Sequence, residues 1–158
     1  MYKKNKDNKR KNEDPREQEF EQKLVDLSRV TRVTKAGKQL SFRATLVIGD
    51  KKGRVGMGIE KATDVTLAIN KAARKAKKDL ITVNMKNETI PHEVLMKFGA
   101  AKVLIKPAGK GKGIKAGGAM RNMLELAGIP NVTGKNLGSS NKINILYATL
   151  EALKALRK

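Results

Sequence analysis

Residues 42–59 read Phe-Arg-Ala-Thr-Leu-Val-Ile-Gly-Asp-Lys-Lys-Gly-Arg-Val-Gly-Met-Gly-Ile. Phe42, Ala44, Leu46 and Ile48 alternate with Arg43, Thr45 and Val47, the period of a strand that buries one face. Gly49-Asp50-Lys51-Lys52-Gly53 carries the residues of a tight turn, so a hairpin follows. Arg54 to Ile59 is then a second strand. In it Gly56 and Gly58 leave no side chain, as where another element packs closely.

Working outward from this hairpin completes a unit. Upstream, Val25, Leu27, Val30 and Val33 mark a further strand that ends in the turn-rich Thr34-Lys35-Ala36-Gly37-Lys38. Downstream, Val65, Ile69, Ala72, Ala73, Ala76 and Leu80 recur at helical spacing behind a cap at Thr63 or Asp64. The small alanine stripe lets this helix sit close on a three-stranded sheet. Lys71, Arg74, Lys75 and Lys78 fall on the opposite side, where a solvated face and a functional one are both open readings. The order is β-β-β-α.

The remaining chain reads as a second unit. Asn84 to Pro91 is polar and ends in Pro, and residues 85–91 are the expected linker. Val94–Phe98 and Lys102–Ile105 flank Gly99-Ala100-Ala101 as a hairpin. Pro107 to Gly118 holds five Gly and three Lys, too much Gly for regular structure. Met120, Met123, Leu124 and Ala127 follow at helical spacing, stopped by Gly128 and Pro130. Asn131 to Lys135 is a candidate strand. A final helix starts at Ser139 or Ser140 and carries Ile143, Leu146, Tyr147, Leu150 and Leu153. The expected organisation is a disordered basic tail over 1–19, a first domain over 20–84, the linker, and a β-β-α-β-α domain over 92–158. The fold class is α+β, built from two small α/β domains.

Charge bounds the function. Lys and Arg number 35 against 15 Asp and Glu, a net charge of +20 in 158 residues. Such a body repels itself unless a polyanion neutralises it, and phosphate neutralisation drives binding by releasing counterions. Anionic membranes call for a basic amphipathic helix with large apolar groups, whereas this chain has no Trp and three Phe. With no Cys, disulfides and thiolate metal sites are excluded. The charged opening residues lack the apolar core of a signal peptide, and no apolar run reaches membrane-spanning length. The expectation is a soluble cytoplasmic protein.

Two Gly-rich segments could hold phosphate: Gly109-Lys110-Gly111-Lys112-Gly113, and Leu137-Gly138-Ser139-Ser140 ahead of the last helix. Together they bring small-molecule kinases of the galactokinase–homoserine kinase type into question. Phosphoryl transfer needs a carboxylate to hold Mg²⁺, and beyond Glu93 the only acidic residues are Glu125 and Glu151, both in expected helices. The single His92 has only Glu93 beside it, which makes no acid–base pair or metal site. The expectation is no enzyme, no metal and no cofactor. Aromatic residues make up 3% of the chain, too few for the base-stacking platforms of single-strand RNA readers. Lys and Arg beside Gly instead suit phosphate and sugar contacts on folded RNA.

Three segments carry a resemblance. They are Gly37-Lys38-Gln39-Leu40-Ser41-Phe42-Arg43-Ala44 through Gly53-Arg54-Val55-Gly56-Met57-Gly58; Lys106-Pro107-Ala108 with Gly111, Gly113 and Ala116-Gly117-Gly118-Ala119-Met120-Arg121; and Leu137-Gly138-Ser139-Ser140-Asn141-Lys142-Ile143-Asn144 with Ala148-Thr149-Leu150. In order and spacing the chain resembles the bacterial ribosomal protein S5 family from about Phe20 to Leu156. It departs at Ala36-Gly37, at Lys51-Lys52, and in the Gly-Lys loop after Pro107. The resemblance implies a first domain like double-stranded-RNA-binding folds and a second of the α/β type shared with the kinases above. It implies a structural constituent of the small ribosomal subunit that binds small-subunit ribosomal RNA and stabilises head against body near where messenger RNA enters. It further implies contacts with ribosomal proteins S4 and S8, the S4 contact contributing to translational accuracy. No membrane and no small-molecule substrate are involved. The expected RNA contacts are Arg29, Arg32, Lys35, Lys38, Arg43 and Arg54, with Lys110, Lys112 and Lys115 in the Gly-rich loop. Gly113 and Arg121 are the expected S4 boundary.

Overall fold

The computed structural model describes residues 20–157; the expected basic tail, 1–19, lies outside them. The elements run β1 (Glu21–Thr34), β2 (Gly37–Gly49), β3 (Arg54–Ala62), α1 (Val65–Lys78), β4 (Ile81–Thr82), β5 (Val94–Phe98), β6 (Ala101–Pro107), β7 (Ile114–Lys115), α2 (Gly118–Ala127), β8 (Val132–Asn136) and α3 (Lys142–Lys154). Strands β1-β2-β3-β4 form one antiparallel sheet, and β5-β6-β8-β7 form a second in which only β7 and β8 run parallel.

The layers stack as α1, first sheet, α2 with α3, second sheet. Ala44, Leu46 and Ile48 face α1, where they meet Ala68, Ala72 and Ala76. Gly58 lies opposite Leu46 on this face, and a Cβ there would strike the Ala72 carbonyl; Gly56 meets Ala76 in the same way. The helix therefore rides on bare strand backbone, which is what the two glycines and the alanine stripe are for. Val47, Val55 and Met57 point the other way, into a core shared with Leu124, Leu126, Leu146 and Leu150.

That second contact overturns the one-faced reading of residues 42–48. Ala44 through Ile48 are all buried, because α1 covers one face of β2 and the second half covers the other. A period-two pattern cannot show this when Thr45 and Val47 fill the second face. The last helix differs too. Asn141, not Ser139 or Ser140, caps it, its Oδ1 accepting from the Ile143 amide at 3.1 Å. Wedged between two sheets, α3 buries Ile145, Ala148, Thr149 and Ala152 as well as Leu146, Leu150 and Leu153 of its expected stripe, while Ile143 and Tyr147 are half-buried. The Gly-rich stretch contains the short strand β7, added alongside β8 at Val132 and Thr133. Leu27 and Val33, which mark β1 in the sequence, are 42% and 69% exposed: Leu27 lies on the edge strand of the sheet, opposite Ala44, and Val33 lies on the part of β1 that runs past β3. Within 85–91, Ile90 is buried and the Thr89 hydroxyl donates to the Asn131 carbonyl at 2.7 Å, so this segment is packed against the second sheet.

Candidate nucleic-acid interface

Strand β3 pairs with β2 only from Phe42 to Gly49, while β1 and β2 stay paired out to Thr34 opposite Gly37. The outer part is thus a two-stranded ribbon, and every residue from Thr31 to Leu40 is exposed. An isolated pair of strands is marginal in water, so a ribbon kept this long fits a partner that holds it. Between Leu27 and Ser41 there is no acidic residue. Among the described residues none of Arg29, Arg32, Lys35 and Lys38 has an ion-pair partner.

The register distributes these cations. Arg29 lies opposite Phe42 and Lys38 opposite Val33, on the α1 side; Arg32 lies opposite Gln39, on the other side; Lys35 sits at the tip. Charge on both faces and the tip suits insertion between phosphate backbones better than lying flat on one. Arg43 stands opposite Ser28 at the base of the ribbon, half-buried. Arg54 is committed elsewhere: its Nε donates to Asp50 Oδ2 at 2.6 Å and its guanidinium lies 5.1 Å from the centre of the Phe20 ring. Asp50 Oδ1 also accepts from the Lys52 and Arg54 amides, at 2.8 and 3.0 Å. Burial pushes the Asp50 carboxyl up, but these bonds and the Arg54 charge outweigh it and hold its pKa below the ordinary carboxylate value. Arg54 braces the β2–β3 turn.

The second group of predicted residues sits on the β6–β7 connection, on the other sheet. Lys110 is well exposed and reaches Glu88 at 3.7 Å; Lys112 is exposed on the same loop, and Lys115 is on β7. Gly113 has φ +69°, its amide donates to buried Asn131 Oδ1 at 3.1 Å, and its carbonyl accepts from Val132 at 3.2 Å. Among the described residues nothing lies within 4 Å of where a Cβ would be, so its left-handed backbone, not close approach, is what calls for Gly. Arg121 is exposed in the first turn of α2, its amide bonded to the Gly117 carbonyl at 2.7 Å. In α1, Lys75 pairs with Glu60 at 3.0 Å, while Lys71, Arg74 and Lys78 are exposed.

The Gly138 loop does not present its amides to a phosphate. Leu137 donates to Lys102, Ser139 to Ala100, and Gly138 to Asn136 Oδ1, which ties the loop to the β5–β6 turn. Single-residue His92 is similarly occupied: the Arg157 amide donates to its Nε2 at 3.2 Å.

Two family models match this architecture half by half. The ribosomal protein S5 N-terminal domain covers residues 20–84, and the ribosomal protein S5 C-terminal domain covers residues 96–158. The chain belongs to the ribosomal protein S5 family. It is therefore a ribosomal protein of translation, with a structural role in the small subunit. Within this S5 fold, sequence reasoning passed over Lys97, Lys102 and Lys135. Their signal was there: Lys102 alternates with buried Ala101 and Val103, Lys135 follows buried Gly134, and Lys97 stands between the apolar Met96 and Phe98.

Proposed function

We propose that this S5-family chain is a passive clamp on small-subunit ribosomal RNA in the cytoplasmic ribosome. Its units, 20–84 and 92–158 joined by 85–91, act as one body. The observation that carries the reading is the projecting ribbon, with Arg29, Arg32, Lys35 and Lys38 exposed and no carboxylate of its own. Phosphate is the partner that such a ribbon lacks, and the shortage of exposed aromatics points to backbone contacts on folded RNA. Family membership supports the finer assignment. The chain steadies head against body where messenger RNA enters, contacts S8, and meets S4 around Gly113 and Arg121, where it bears on accuracy. It catalyses no reaction and takes no cofactor.

The test is binding of the full chain to folded small-subunit ribosomal RNA across a salt series. Each phosphate contact contributes roughly −0.9 to the log–log slope on duplex-like RNA. Replacing Arg29, Arg32, Lys35 and Lys38 by Gln should flatten the slope by about 3 to 4. A flat response in the unsubstituted chain, or preference for unstructured strands, would refute the clamp.

A further inference from the structure

Among the described residues, the helices cover one face of the second sheet and leave the other bare. Val94, Ala101, Val103, Ile105 and Val132 point to the helices and are buried. The residues between them point away. Cross-strand pairing places Lys97 opposite Lys102, Leu95 opposite Leu104, Leu104 opposite Lys135, and both Lys106 and Lys115 opposite Thr133. All five lysines are exposed, and Leu95 is 52% exposed at the edge strand. Lys106 pairs with Glu93 at 3.1 Å; among the described residues Lys97, Lys102, Lys115 and Lys135 have no ion-pair partner.

Like charges directly opposed on a sheet destabilise it, so the Lys97–Lys102 pair works against the fold unless an anion sits over it. The rows of this face are roughly 6.6 Å apart along the strands and about 4.8 Å across them. The result is a cationic surface with two leucines side by side, Leu95 on the edge strand and Leu104 on β6. We propose that this bare face of the second sheet is a separate RNA-binding surface, taking the sugar-phosphate backbone of folded ribosomal RNA. Lysines are flexible point charges that meet phosphate without demanding one geometry. Leu95 and Leu104 are placed to pack on ribose, and no aromatic on the face could stack a base. An acidic protein would fit the charge but would not need so evenly spread a set of lysines. The proposal rests on the RNA-clamp reading, and its test separates the two.

The full chain is compared with a Lys97→Gln, Lys102→Gln, Lys135→Gln variant, which keeps the Lys106–Glu93 pair, and with the ribbon variant above. The probe is folded small-subunit ribosomal RNA in a salt series, with thermal melts alongside. The sheet variant should lower the slope by about 2 to 3 while melting at the same or a higher temperature, since a repulsive pair is gone. In the unsubstituted chain, RNA should protect these lysines from acetylation. An unchanged slope beside a flattened one for the ribbon variant, with the lysines still acetylated in the complex, overturns the sheet surface and leaves the clamp standing. Lysines that stay reactive with RNA alone but are shielded in the assembled subunit would mean a protein partner, which also overturns it. A flat salt response in the unsubstituted chain defeats the clamp reading itself.

Discussion

The Lys51 amide donates to the Leu126 carbonyl at 3.0 Å, so the β2–β3 turn of the first half caps a helix of the second. Gly53 does the same for Ala127, also at 3.0 Å. The last carbonyls of a helix have no partner within it, and here the other half of the chain supplies them. Gly128 ends α2 in the left-handed region at φ +81°, directly under Lys51, whose carbonyl a Cβ would overlap. Gly113 has a similar backbone but open space around it. Gly128→Ala should therefore cost clearly more than Gly113→Ala. The latter adds only left-handed strain, about 1 kcal/mol; the former adds a backbone collision and should exceed about 2 kcal/mol. Urea unfolding of the two variants tests the ranking, and equal losses would show that the contact relaxes freely.

Capping across the halves, with a core that runs from Val47 and Met57 to Leu126 and Leu146, makes separate melting of the two sheets unfavourable. The chain should unfold in one transition. In native-state hydrogen exchange, the slowest amides of β2 and β8 should open with the same free energy and respond equally to denaturant. Two distinct opening energies would mean that the interface is weaker than its packing implies.

Asp50 adds a pH dependence. Its side chain is 4% exposed and its folded pKa lies below the ordinary value, held there by Arg54 and two amides despite burial. The unfolded chain then binds more protons than the folded one below about pH 4. The stability that Asp50 contributes is whole above that pH and is lost as pH falls through the folded pKa. Asp50→Ala should cost about 1–3 kcal/mol at neutral pH and less in acid. Stability measured from pH 6 to pH 2 on both proteins tests this; a constant difference would remove the carboxyl charge from the account.

How much of this was legible can be judged residue by residue. The hairpin at Gly49–Gly53, the α1 stripe, and the role of Gly56 and Gly58 follow from local spacing, and local spacing is what a sequence displays. The double burial of β2 is not local: Thr45 and Val47 look like an exposed face until α2 is brought over them. The same holds for α3, whose Ala148, Thr149 and Ala152 are too small to signal a second packed face. Arg54 was legible as a cation and illegible as a brace, because its ties to Asp50 and Phe20 depend on the turn's three-dimensional path. Lys97 and Lys102 were readable as alternating residues, but their opposition on one bare face depends on which side the helices take.

The ribbon makes a separable prediction. Thr31 and Arg32 lie beyond the packed sheet, opposite Leu40 and Gln39, and are exposed. Arg32→Ala should shift stability by less than about 0.5 kcal/mol. It should still weaken binding to folded ribosomal RNA, with a slope reduced by about 0.9 for its single phosphate. Loss of stability matching the loss of binding would make Arg32 a structural residue.

The proposed S4 boundary can be tested without confusing contact with folding. Arg121 is exposed, and its guanidinium charge reaches Glu125, whose pKa is lowered first by Lys23 and, more weakly, by Arg121. Lys23 and Glu125 are 2.9 Å apart, so that pair survives when Arg121 is removed. Arg121→Leu should leave stability within about 0.5 kcal/mol. Gly113→Asp is the harder case, since φ +69° strains any side chain, though Asp tolerates this region better than most residues. If the two proteins separate during decoding, removing a contact favours the separated state by the interaction lost. Both substitutions should then raise stop-codon readthrough more than they lower subunit assembly. A reporter with an in-frame stop codon, run beside subunit sedimentation profiles, measures both. Raised readthrough in Gly113→Asp alone, together with poor assembly, would trace to loop strain. Raised readthrough in Arg121→Leu with normal assembly would trace to the contact. Normal readthrough in both, with normal assembly, would take this surface out of the control of accuracy.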